Sequence, residues 1–187
     1  MMVPTALNRR QAGTALLGAA LTTAMPRSAL ADSAKAPAPP TLDFVFEAVI
    51  LLAPPVELGT IDGERRRLVP ITGGTVDGPR LRGIVLPGGG DWQGIGKDRT
   101  VIHARYTLEA ADGTRISIDN PGVRVASPEI IARLTAGEDL DPSLYYFRTT
   151  PTFEVQAGPH DWMTRSVFVG QGIRHPGSVV MRYFRVT

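Results

Sequence analysis

The sequence predicts an all-β domain, a barrel or sandwich of roughly nine or ten short strands with one short helix. Three observations lead there. Apolar residues alternate with period two over many short stretches. Turn residues punctuate them: 20 Gly and 16 Pro in 187 residues are too many for a helical bundle. Only one segment carries both start and stop signals for a helix.

The chain opens on a targeting segment. Asn8-Arg9-Arg10-Gln11 precedes an apolar run from Ala12 to Met25, and Ser28-Ala29-Leu30-Ala31 offers a small-x-small cleavage site before Asp32. That is the order of a signal peptide. The paired arginines and modest hydrophobicity make it twin-arginine-like, with the general secretory route as the alternative. Residues 1–31 are expected to be removed and the protein to be periplasmic or secreted. The apolar run is short for a membrane span, so no stable insertion is expected after cleavage. Residues 32–41 read as a Pro/Ala linker, because proline removes donors and fixes the backbone. The folded domain is expected over 42–187.

Strands follow. Phe44, Phe46, Ala48, Ile50 and Leu52 share one face of the first, and Pro54-Pro55 ends it. Arg67 to Val76 reads as the next, interrupted by Gly73-Gly74, with Asp77-Gly78-Pro79 as a turn. Leu81 to Leu86 is a third. Val101 to Ala110 and Thr114 to Ile118 flank Ala111-Asp112-Gly113, a hairpin signal. Ser127 can cap a helix, Pro128 suits its first turn, Glu129 complements its positive end, and Gly137 stops it. Strands are expected again over Tyr145 to Phe153, Trp162 to Gly172 and Ser178 to Val186.

Charge and composition exclude several functions. The arginines of residues 1–31 carry no acidic counterpart; without them 17 basic side chains face 18 acidic ones, a net charge of −1. A near-neutral domain gives no electrostatic case for nucleic acid. No cysteine is present, so disulfides, thiol catalysis and thiolate metal sites are excluded. His103, His160 and His175 have no metal-binding spacing, and no metal or cofactor is expected. Gly88-Gly89-Gly90-Asp91-Trp92-Gln93-Gly94 lacks the Lys-Ser/Thr pair of a phosphate loop and reads as a flexible turn after a strand. No Gly-x-Ser-x-Gly elbow occurs.

What remains is polar residues within apolar strands. Arg105 shares a face with Thr107 and Glu109, and Tyr106 lies opposite. Tyr146 and Arg148 share one face of their strand; Arg165 lies with Met163, Val167 and Val169, opposite Trp162. An arginine among apolar residues either points to water or meets an acid, such as Asp91, Glu154, Asp161 or a bound ligand.

Several segments carry a family resemblance. They are Pro70-Ile71-Thr72-Gly73-Gly74-Thr75, Gly78-Pro79-Arg80-Leu81-Arg82-Gly83, Leu86-Pro87-Gly88-Gly89-Gly90-Asp91-Trp92-Gln93, Ala104-Arg105-Tyr106-Thr107-Leu108, Tyr145-Tyr146-Phe147-Arg148-Thr149 and Phe168-Val169-Gly170. In these the chain resembles a bacterial and fungal family designated domain of unknown function 3237, or uncharacterised protein family 0311. The resemblance covers about Leu42 to Val186. It implies a single closed antiparallel β-barrel, similar to calycin-type barrels, with an interior cavity. It implies no assigned reaction. Asp91-Trp92, Arg105-Tyr106, Glu154 and Arg165 match family positions, without a role to carry over.

Three functional readings stand. The first is a cofactor-independent isomerase, lyase or hydratase acting on a small acidic or aromatic molecule inside the barrel. Asp91 or Glu154 would be the general acid/base, since an apolar cavity raises a carboxyl pKa. Arg105, Arg148 or Arg165 would hold a carboxylate or an enolate, and Trp92, Tyr106, Tyr146 and Trp162 would form aromatic walls. The second is a non-catalytic carrier with the same walls. The third is a structural or interaction protein with a filled core. Exposed strand edges leave a homodimer open.

Overall fold

The computed structural model describes residues 37–187. The targeting segment and the first half of the linker, residues 32–36, fall outside the described residues. Within them, Pro37 to Pro40 adopt no regular structure, as four residues with three prolines should not.

Eleven strands follow: β1 (Leu42–Leu52), β2 (Val56–Ile61), β3 (Glu64–Asp77), β4 (Gly83–Val85), β5 (Gly89–Ile95), β6 (Arg99–Ala110), β7 (Arg115–Val125), β8 (Tyr146–Thr149), β9 (Thr152–Val155), β10 (Phe168–His175) and β11 (Ser178–Val186). One helix, α1 (Pro128–Thr135), lies between β7 and β8. Eight strands close an antiparallel barrel in the order β1-β3-β5-β6-β7-β8-β10-β11, and β11 returns to β1. The other three extend its wall. β2 folds back on the start of β3, β4 bridges β3 and β6, and β9 pairs with the start of β7. Closure removes the sheet edges that an open sheet of this size would expose.

The helix forms where its signals stand. The Ser127 side chain accepts from the Ile130 N–H at 3.3 Å, Pro128 occupies the first turn, and the chain leaves through Gly137 at φ +90°. Ile131 and Leu134 are buried under it. The β6–β7 hairpin turns at Asp112, whose carboxylate accepts from the Thr114 N–H at 3.0 Å.

Three local expectations need correction. The glycine-rich stretch 88–94 is not a flexible turn: most of it is β5, a barrel strand. Its glycines answer packing, because a Cβ at Gly89 would collide with Tyr106 and one at Gly90 with Leu68. Residues 162–172 are not one strand, since Asp161–Arg165 form a short 3-10 turn before β10. Alternation of faces therefore does not apply to Arg165 and Trp162. The segment 145–153 breaks at Thr150-Pro151 into β8 and β9.

The barrel interior is layered. At the end away from α1, Phe46, Phe153, Phe168 and Tyr183 fill the lumen, with ring centroids 4.7 to 6.2 Å apart. Aliphatic residues line the middle. Toward α1 the inward positions turn polar: Arg67, Gln93, Thr100 and Arg124 are all buried.

Candidate functional site in the barrel interior

Register puts the polar middle together. Asp91 of β5 pairs with Ala104 of β6, and Ala104 pairs with Asn120 of β7. All three belong to the inward set, so Asp91 and Asn120 flank a side chain of one carbon. That small residue leaves a pocket of about 30 Å3, lined by Asp91, Ala104, Tyr106, Asn120, Phe147 and Met181, among others. Above it, between the barrel wall and the C-terminal end of α1, lies a cavity of about 310 Å3. Arg67, Gln93 and Arg174 line this mouth, with Thr135 to Gly137 of the helix end. Leu52 and Val179 belong to both walls, so the two spaces are neighbours.

Asp91 is held from two sides. Its Oδ2 accepts from Gln93 Nε2, and its Oδ1 from the His103 backbone N–H at 3.2 Å. Gln93 is itself oriented by Arg67, whose Nε donates to Gln93 Oε1 at 2.8 Å. Burial pushes the Asp91 carboxyl pKa up, and it prevails over the hydrogen bonds and the charges of Arg124 and Arg67, which pull the other way. Below Asp91, the Tyr106 and Tyr183 hydroxyls share a hydrogen bond, and Asn120 Nδ2 donates to the Tyr183 oxygen at 3.2 Å. Burial and the neighbouring phenol raise the Tyr106 pKa, so this pair stays protonated. Asn120 Oδ1 is buried with no hydrogen-bond partner. Such an acceptor is costly unless something supplies a donor.

Of the residues singled out from sequence, Asp91 and Tyr106 line the inner pocket. The others lie elsewhere. Trp92 points outward from β5 and is 48% exposed. Arg105 is outside and paired with Asp119 at 2.8 Å. Arg148 donates to the Phe147 carbonyl and lies over the exposed Tyr146 ring. Glu154 faces solvent from β9. Arg165 is exposed and paired with Asp161, and Trp162 stacks between Arg80 and Phe168 at the aromatic end. Each outward position follows from strand parity or from the 3-10 turn. The interior instead holds arginines that sequence reasoning passed over: Arg67, Arg124 and Arg174. In the fold Arg67 shares the inward face with Val69 and Ile71, and Arg174 with Gly170 and Gly172, a face that parity alone does not mark as inside.

The family model described as "Protein of unknown function (DUF3237)" matches residues 40–186. The chain belongs to this family. A relative, a UPF0311 protein of Clostridium acetobutylicum, is 38% identical over 145 residues, covering 76% of this chain and 92% of its own. Solved structures agree in fold. A conserved protein of unknown function from Rhodopseudomonas palustris superposes with a TM-score of 0.75 at 35% identity, over 80% of this chain and 100% of that one. A β-barrel-like protein from Acinetobacter baumannii gives 0.71 at 36% identity, over 82% and 99%. An enzyme from Penicillium herquei gives 0.61 at 20% identity, over 81% and 98%, a likeness of fold alone. The DUF3237 barrel is thus the frame in which the interior polar layer sits.

Proposed function

We propose that this DUF3237 protein takes a small organic molecule, acidic or aromatic, into its barrel and moves a proton on it without a cofactor, as an isomerase, lyase or hydratase. One observation carries the reading. Asp91, the carboxylate on the inner pocket wall, has its pKa raised by burial and sits beside polar groups still able to bond a ligand. That an enzyme shares the fold is an analogy of fold; the reading rests on the Asp91 site.

The chemistry follows from the donors and acceptors. Ionised Asp91 takes a proton from a carbon next to a carbonyl, and its raised pKa makes it a better base than a solvated aspartate. Asn120 donates to the Tyr183 oxygen, and in the arrangement that serves catalysis the Tyr183 hydrogen bonds the Tyr106 oxygen. The Tyr106 hydrogen is then free to donate to a developing enolate oxygen. Protonated Asp91 returns the proton to a neighbouring carbon, which completes an isomerisation, or to a leaving hydroxyl, which completes a dehydration.

The test needs no knowledge of the natural substrate. Enolisable keto acids and aryl ketones are incubated with protein in deuterated water, and loss of the α-proton signal is followed by NMR. Protein-dependent exchange is expected for part of the panel, falling about 10²- to 10⁴-fold in Asp91→Asn. It should persist in Glu154→Gln. Exchange that is equal in wild type and Asp91→Asn sinks the assignment of Asp91.

A further inference from the structure

Three guanidinium groups converge on the α1 end of the lumen, and none has a carboxylate partner. Arg67 and Arg174 line the mouth cavity. Arg124 is 1% exposed and lies over the Phe147 ring, a wall of the inner pocket, at 5.8 Å. Among the described residues, ion pairs take up nine arginines, all outside this set. Arg67 bonds a neutral amide and Arg174 a backbone carbonyl, while Arg124 Nε and Nη2 are buried with no partner at all. Three positive charges, Arg67 and Arg124 buried and Arg174 half-buried, repel one another with no ion pair among them, and the desolvation of the buried two is unrecovered. Asp91, Glu57 near Arg67 and Asp139 near Arg174 act on them only through space, without an ion pair. The C-terminal end of α1 offers only a partial one, and its last carbonyls are already bonded by the Ala136, Gly137 and Glu138 N–H groups.

We infer that the mouth cavity is a carboxylate subsite: Arg67 and Arg174, with the charge of buried Arg124 behind them, bind the anionic group of an organic carboxylic acid whose apolar body lies in the mouth cavity on the side of Asp91. The layering supports this direction. Guanidinium forks match carboxylate geometry, and below them the wall is Ile50, Ile71, Ile102 and Met181. A neutral ligand would leave the arginines unmatched. The inference names the ligand class for the site proposed above, but the subsite stands without Asp91.

The experiment measures binding to purified protein by thermal shift and calorimetry. The probes are benzoate, phenylacetate and 3-phenylpropionate, each against its neutral carboxamide, with inorganic phosphate as a further arm. The expected result is saturable binding of at least one carboxylate, about tenfold or more tighter than its amide. That preference should be lost in Arg124→Met and Arg174→Gln and kept in the surface variant Arg105→Gln. Arg174 is only partly buried, so its variant serves if Arg124→Met does not fold. Binding that survives in Asp91→Asn, with proton exchange lost, supports both proposals. Binding that survives where no variant or wild type shows exchange keeps the subsite and removes the catalytic reading. Equal affinity for acid and amide, preference for phosphate, absence of binding by any carboxylate, or preference unchanged in the arginine variants overturns the subsite.

Discussion

Asp91 and Arg124 are two ionised residues that burial disfavours, and each leaves a signature in the pH dependence of stability. Burial raises the Asp91 pKa. Between the ordinary aspartate value and the raised one, the folded chain holds a proton that the unfolded chain has released. Stability contributed by that proton is present below the ordinary value and is lost as pH rises through the raised one. Denaturation of Asp91→Asn across this window should show a shallower fall than wild type; an identical slope would mean that Asp91 is not perturbed. Arg124 is pushed down to about 10 by burial and by the charges of Arg67 and Arg174. At neutral pH it is charged in both states, so its burial is a constant cost. Arg124→Met is therefore expected to raise stability by about 1–4 kcal/mol in urea denaturation. A loss of that size would make Arg124 a structural residue. Asp91 was legible because a lone acid beside a tryptophan in a glycine run is conspicuous. Arg67, Arg124 and Arg174 were not, because parity assigns residues to two faces without saying which face is inside. Arg67 sits in an Arg-Arg-Arg run whose neighbours Arg65 and Arg66 face out and pair with Glu57 and Glu64.

At the scale of elements, small residues decide which strands can meet. Gly170 and Gly172 on β10 let Thr149 and Phe147 of β8 lie across them, and a Cβ at Gly172 would enter the Phe147 ring. Gly172→Ala is expected to lower stability by about 1–3 kcal/mol through overpacking, read as a drop in Tm. No change would mean that β8 can shift. Helix α1 depends on its cap. Ser127→Ala should cost about 1 kcal/mol and loosen the cover of the mouth, seen as faster amide exchange over 128–137 with the barrel strands unchanged. Helix α1 and the β6–β7 hairpin were readable because their signals are local: a cap, a proline, a turn carboxylate. β5 was hidden because glycine signals turns and close approach alike, and only the neighbouring Tyr106 and Leu68 tell them apart. The stretch 162–165 resembled the start of a strand by apolarity alone, while the Thr164 and Ser166 side chains bond backward to carbonyls of the 3-10 turn.

For the whole molecule, barrel closure and layering turn a scattered set of polar residues into one interior. The all-β class and single helix were legible from periodicity and turn composition. Closure was legible only through the family resemblance, which the structure bears out, because it rests on β11 meeting β1 and on β3 and β6 each serving two partners at different heights. Export is proposed from the Arg9-Arg10 leader, outside the described residues. Mass spectrometry of protein recovered from the periplasm should give an N-terminus at Asp32; recovery only from the cytoplasm at full length would refute it. The central claim is that the barrel holds a carboxyl group whose pKa burial lifts above the ordinary aspartate value. Carbon-13 NMR titration of the aspartate carboxyl groups, with Asp91→Asn to assign the resonance, tests it most directly. The account predicts that Asp91 titrates above the ordinary carboxylate range and that a carboxylic acid bound in the mouth perturbs its shift. A resonance that titrates within or below that range would mean a permanently ionised structural carboxylate, and would contradict the account.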